Sequence, residues 1–142
     1  MKANELRIGN WVICHFMNME IKTQVLWMTY NILEQKYFAN VKDGEVINAY
    51  SIETNCKPIP ITPELLERCG FVISGDVEWV IPLPNGNGCD LFLEHILADN
   101  TIPYDVVLRA EKHFIYLHSI TYLHQLQNLY HALTGNELEV KM

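Results

Sequence analysis

The chain has 142 residues, 49% of them hydrophobic and 19% charged, with a formal net charge of −7. That length and balance describe one folded domain, or two very small ones, and exclude a disordered or low-complexity chain. The charge is lopsided: residues 1–60 hold six Lys/Arg and six Asp/Glu, whereas residues 61–142 hold four against eleven, so the second half repels a phosphate backbone and nucleic-acid binding is confined to a patch on the first.

The stretch MKANELRIGN has no apolar h-region, and no apolar run approaches the ~20 residues that span a membrane. The expectation is a cytoplasmic chain with no membrane segment. Cys14, Cys56, Cys69 and Cys89 are scattered, with no C-x-x-C spacing. Such cysteines read as buried small apolar residues, with a disulfide and a metal or catalytic role as the alternatives.

In chain order, residues 6–13 predict a strand with a bend at Gly9-Asn10, an opening that small SH3-like barrels share. Met17-Asn18-Met19-Glu20 reads as a turn. Residues 23–33 are rich in strand formers, although Leu26, Tyr30 and Leu33 also fit a helical period. Residues 37–41 and 46–52 predict paired strands around Lys42-Asp43-Gly44-Glu45, where Gly44 tolerates positive φ. Pro58 and Pro60 keep residues 56–61 extended and mark a boundary near residue 60. Thr62-Pro63-Glu64 then starts a short helix: Thr62 as N-cap, Pro63 at the first turn, and Gly70 as the stop. Residues 71–73, 77–83, 89–96, 106–110 and 113–118 predict an antiparallel meander. Pro82 puts its strand at an edge or ends it at Ile81, and Asn85-Gly86-Asn87-Gly88 reads as a hairpin turn.

The clearest pattern lies at residues 121–134. Tyr122, Leu123, Leu126, Leu129, Tyr130 and Leu133 form one apolar stripe at 100° per residue, and Gly135 follows as the cap. The expectation is a helix with this stripe against the inner face of the second-half sheet, then a short final strand. The other side carries His124, Gln127, Asn128 and His131, read as a solvated face or as a candidate interaction face for a partner.

Other constellations are weaker. His124 and His131 stand about 10 Å apart along a helix, too far for one zinc ion. His113 and His118 differ by an odd number, which on a regular strand sets them on opposite faces. Asp90 and Glu94 share a strand face and read as solvated carboxylates rather than half of a metal or glycosidase site. The Asn-Gly run does not open a helix as a phosphate loop must. No catalytic, metal or cofactor-binding residue is assigned, and no cofactor is expected.

Three segments, MKANELRIGNWV, PIPITPELLERCGF and YLHQLQNLYHALTGNEL, resemble an uncharacterised family of small proteins from phages, prophages and mobile elements of gut bacteria. The resemblance implies a cytoplasmic single-domain chain of mobile-element origin and carries no site with it. The sequence thus predicts an α+β fold: a β-rich N-terminal part (residues 1–60, SH3-like barrel as one form) and an α+β part (residues 61–142) with the 121–134 helix, packed as one unit. A non-enzymatic binding or adaptor module for a protein partner leads. A nucleic-acid binder using the barrel and a small hydrolase or metal enzyme are the alternatives. A homo-oligomer is compatible with all three.

Overall fold

The computed structural model describes residues 1–75, 78–84, 88–94 and 103–142. The turn at Asn85-Gly86-Asn87 and most of the 98–104 loop lie outside them. The fold is α+β, with two five-stranded antiparallel sheets and a C-terminal helix. The chain groups into two compact units: Met1–Ile59 with Tyr122–Asn128, and Pro60–Thr121 with Leu129–Met142.

The first unit begins with a 3-10 turn at Ala3–Glu5. The expected strand does not start at residue 6. Leu6 is buried, and Asn10 Oδ1 accepts the Arg7 N–H at 2.7 Å, making a local side-chain turn. Gly9 takes φ +89°, which its missing Cβ permits, and the strand starts only at Trp11. The elements are then β1 (Trp11–Phe16), β2 (Met19–Asn31), β3 (Lys36–Asp43), β4 (Val46–Ser51), a single helical turn α1 (Ile52–Asn55) and β5 (Cys56–Lys57). The sheet order is β4-β3-β2-β1-β5. The fifth strand returns to pair with the first behind one helical turn.

Residues 23–31 are strand, not helix. Thr23 and Val25 are buried while Gln24 and Leu26 are exposed, a period of two. The β2–β3 register slips between Val25 and Trp27, leaving Leu26 as the extra residue of a bulge that bends this long strand. The expected strand at residues 46–52 stops at Ser51, because Ile52 turns inward to open α1. Asn55 closes that turn, donating from Nδ2 to the His15 carbonyl at 3.1 Å. Leu6, Val12, Cys14, Val25, Val41 and Ile52 are among the buried side chains of this unit's core.

In the second unit, α2 (Pro63–Arg68) forms as its sequence dictates. Thr62 Oγ1 accepts the Leu65 N–H at 3.3 Å, Pro63 occupies the first turn, and Gly70 exits at φ +86°. The strands β6 (Val72–Ser74), β7 (Glu78–Pro82), β8 (Cys89–Glu94), β9 (Tyr104–Ala110) and β10 (His113–Ile120) pair in chain order. Pro82 is tolerated because β6 reaches only Glu78–Val80; past that point β7 pairs with β8 alone, through Pro82 and Asp90.

The last helix, α3 (Leu123–Thr134), begins two residues later than its periodicity suggests. Gly135 caps it at φ +73°, donating its N–H to the His131 carbonyl at 2.8 Å. The expected final strand does not form: residues 136–142 pair with no strand among the described residues. They are held instead by buried Leu138 and by a Lys141 N–H to the Arg68 carbonyl at 3.2 Å. The apolar stripe is also shifted. Leu123, Leu126 and Tyr130 are buried, but so are His124 and Gln127, whereas Leu133 is 37% exposed. No helix among the described residues is long and apolar enough to cross a membrane.

Candidate interaction site

The polar side of α3 is an internal fastening for the first unit. Gln127 is 1% exposed. Its Oε1 accepts the Trp11 N–H at 2.9 Å, and its Nε2 donates to the Gly9 carbonyl at 3.3 Å. One amide thereby satisfies a main-chain donor and an acceptor at the bend that precedes β1. Asn128 continues the pattern one residue on. Its Oδ1 accepts from Asn10 Nδ2 at 3.0 Å and Arg7 Nε at 3.3 Å, and its Nδ2 donates to the Glu5 carbonyl at 2.9 Å.

His124 is 2% exposed, its ring lying 12° from parallel to Tyr122 with centroids 5.9 Å apart. Its Nδ1 has no hydrogen-bond partner among the described residues. Burial holds the imidazole pKa below its ordinary value, and the Glu5 carboxylate pulls it back up. His131 belongs to the second unit, where its Nε2 lies 3.9 Å from Glu137 Oε1 at the surface. The four residues of the candidate face therefore divide: two are buried, Asn128 is bonded inward, and His131 alone is open to solvent on one side.

Asp90 stands opposite Arg109, which donates to it at 2.7 Å and stacks over the Phe92 ring at 4.4 Å. Asp105 accepts from Ser119 at 2.6 Å. A register shift at Leu117 sets His113 and His118 opposite Ala110 and Val106, which share a face of β9. The odd-number rule therefore fails for this pair, yet four residues of strand still keep them about 13 Å apart. Burial pushes the Cys69 thiol up to about 12. Among the described residues no three His, Cys, Asp or Glu side chains are placed to hold a metal ion.

A groove in the first unit is the feature that the sequence did not single out. It encloses about 350 Å³ between the 3-10 turn (Ala3, Asn4) and the β2–β3 hairpin (Met28, Thr29, Tyr30, Tyr37). Tyr30 and Tyr37 are a cross-strand pair with ring centroids 4.8 Å apart at 49°. The hairpin tip beyond them is apolar: Ile32 is 78% and Leu33 95% exposed. Asn31 holds this tip in shape, accepting the Leu33 and Glu34 N–H groups at 3.0 and 3.2 Å and donating to Glu34 Oε1 at 3.1 Å. The signal was present in the sequence. Met28 and Tyr30 alternate on one strand face, and Ile32-Leu33 is an apolar pair where a turn is ordinarily polar.

The two features are joined by Asn128. Its bond to the Glu5 carbonyl pins the 3-10 turn whose Ala3 and Asn4 form one groove wall. A tilted tyrosine pair, an exposed aliphatic tip and a fixed opposite wall can grip an apolar side chain while Asn4 and Thr29 meet main-chain polar groups. Comparison with family models, with curated proteins and with solved structures finds no match to this chain.

Proposed function

We propose that the chain is a non-enzymatic protein-binding module, an adaptor of mobile-element origin, that takes an extended apolar peptide segment of a partner protein into the Tyr30–Tyr37 groove. The groove itself carries this reading. Monomeric proteins seldom leave two tyrosines, an isoleucine and a leucine together in solvent, and clustered aromatic side chains anchor protein interfaces. Residues 1–60 balance six cationic against six anionic side chains, so no net charge there favours an anionic ligand. That argues for an uncharged peptide over a nucleic-acid strand.

Panning a random linear peptide library against the full chain tests the reading. Enrichment of apolar sequences is expected, with binding lost by at least tenfold in Tyr30→Ser/Tyr37→Ser at an unchanged melting temperature. No enrichment, or binding indifferent to that double variant, overturns it. Tyrosine-dependent binding of a single-stranded oligonucleotide in place of peptide would transfer the groove to the nucleic-acid alternative.

A further inference from the structure

Cys14 and Cys56 sit directly opposite each other where β5 pairs with β1. Both are buried, and their sulfurs are 3.5 Å apart. Facing residues of an antiparallel pair have Cα atoms about 4.5–5.5 Å apart, inside the roughly 4.4–6.8 Å range that a disulfide spans. Closing to a bond of about 2.05 Å asks for side-chain rotation rather than strand movement. We propose that these two cysteines are an oxidative modification site, converting to an intramolecular disulfide that ties β5 to β1.

One sulfur donates its hydrogen to the other across the strand pair. That bond lowers the pKa of Cys56 and raises that of Cys14, so Cys56 is the sulfur that ionises first. Access comes from the fold. β5 is the outermost strand of its sheet, and two facing residue pairs hold it, Ile13 with Lys57 and Cys14 with Cys56. So short an edge strand opens locally without unfolding the unit.

The oxidant class is a hydroperoxide. The Cys56 thiolate attacks its terminal oxygen, the O–O bond breaks, and the alkoxide leaves and takes a proton as the alcohol. Cys56 is then a sulfenic acid. The Cys14 sulfur attacks the Cys56 sulfur, the S–O bond breaks, and water departs with the Cys14 proton. Two electrons pass from the sulfur pair to the peroxide, which becomes one alcohol and one water. The other cysteines take no part: Cys69 and Cys89 belong to the second unit, and Cys69 is held as a thiol by its burial.

The test is to treat the folded full chain with tert-butyl hydroperoxide, alkylate the free thiols, and map the peptides by mass spectrometry. The expected product has lost two hydrogens, carries alkyl groups at Cys69 and Cys89 only, and yields one linked peptide pair holding Cys14 and Cys56. The bond closes a long loop, so the melting temperature rises by about 5–10 °C and falls back on reduction. Cys89→Ser retains the link and Cys56→Ser abolishes it. The wild-type peptide map decides the matter even where Cys56→Ser folds poorly. Four alkylated cysteines after treatment, sulfinic acid without a link, a link through Cys69 or Cys89, or a link that forms only in denaturant each overturn the proposal.

Discussion

The side-chain amide of Gln127 accepts the main-chain N–H of Trp11 at 2.9 Å, joining residues 116 apart in sequence. With its second bond to Gly9, it completes the main-chain accounting where the chain enters β1. Replacing it with Leu keeps the volume but leaves the half-buried Trp11 N–H without this acceptor, while the Gly9 carbonyl keeps its bond from Gln24 Nε2 at 3.3 Å. Gln127→Leu is expected to cost about 1–3 kcal/mol, read from urea unfolding midpoints.

Asn128 and Asn10 share a hydrogen bond at 3.0 Å, and each also fastens other parts of the N-terminal segment. Asn128→Ala is expected to destabilise by about 1–2 kcal/mol. A double-mutant cycle with Asn10→Ala should return a coupling energy of about 1 kcal/mol. Strict additivity would show that the two amides act independently.

The apolar positions of α3 are not equivalent. Leu126 is fully buried and Leu133 is not. Leu126→Ala should cost about 2–5 kcal/mol, because the removed atoms leave a cavity. Leu133→Ala should cost less than ~1 kcal/mol. Equal losses in thermal or denaturant unfolding would contradict the burial pattern.

The buried His124 makes stability depend on pH in one direction. Its ordinary pKa of 6.5 applies to the unfolded chain, and burial lowers it in the fold. Above that value both states are neutral, and the contribution is fully present. As pH falls from about 6.5 toward the lower folded value, the unfolded chain takes up the proton first and the fold loses stability. Tyr122 and Glu5 face the ring, with the Glu5 carboxylate favouring its cation and the chain's amino terminus opposing it. Melting temperatures recorded between about pH 7.5 and 5.5 should fall, and His124→Phe should flatten that slope.

Local rules reached much of this fold. The Thr62-Pro63 start of α2 and the Gly135 cap are decided within a few residues, and short-range chemistry finds them, whereas residues 23–33 carry both strand formers and a helical period, a choice that only the structure settles, as strand through Asn31. The bulges at Leu26 and Leu117 are not marked that way, since one extra residue in a strand has no chemical signature until its partner strand is known. The polar side of α3 misleads for the same reason. Gln and Asn on a helix read as solvated, and only the main-chain groups of Glu5, Gly9 and Trp11, more than a hundred residues upstream, turn them inward. The groove escaped because Tyr30 and Tyr37 look like ordinary strand residues until the hairpin pairs them.

The position of Gln127 and Asn128, far downstream of the strands they fasten, bears on how the protein is made. A ribosome delivers β1 through β5 long before it delivers the two amides that close their entrance. The nascent sheet must wait, with the Trp11 N–H served by water, until residue 128 clears the exit tunnel. A fragment ending near residue 60 would therefore keep that entrance open, and a short helical peptide carrying residues 121–135, added in trans, should close it.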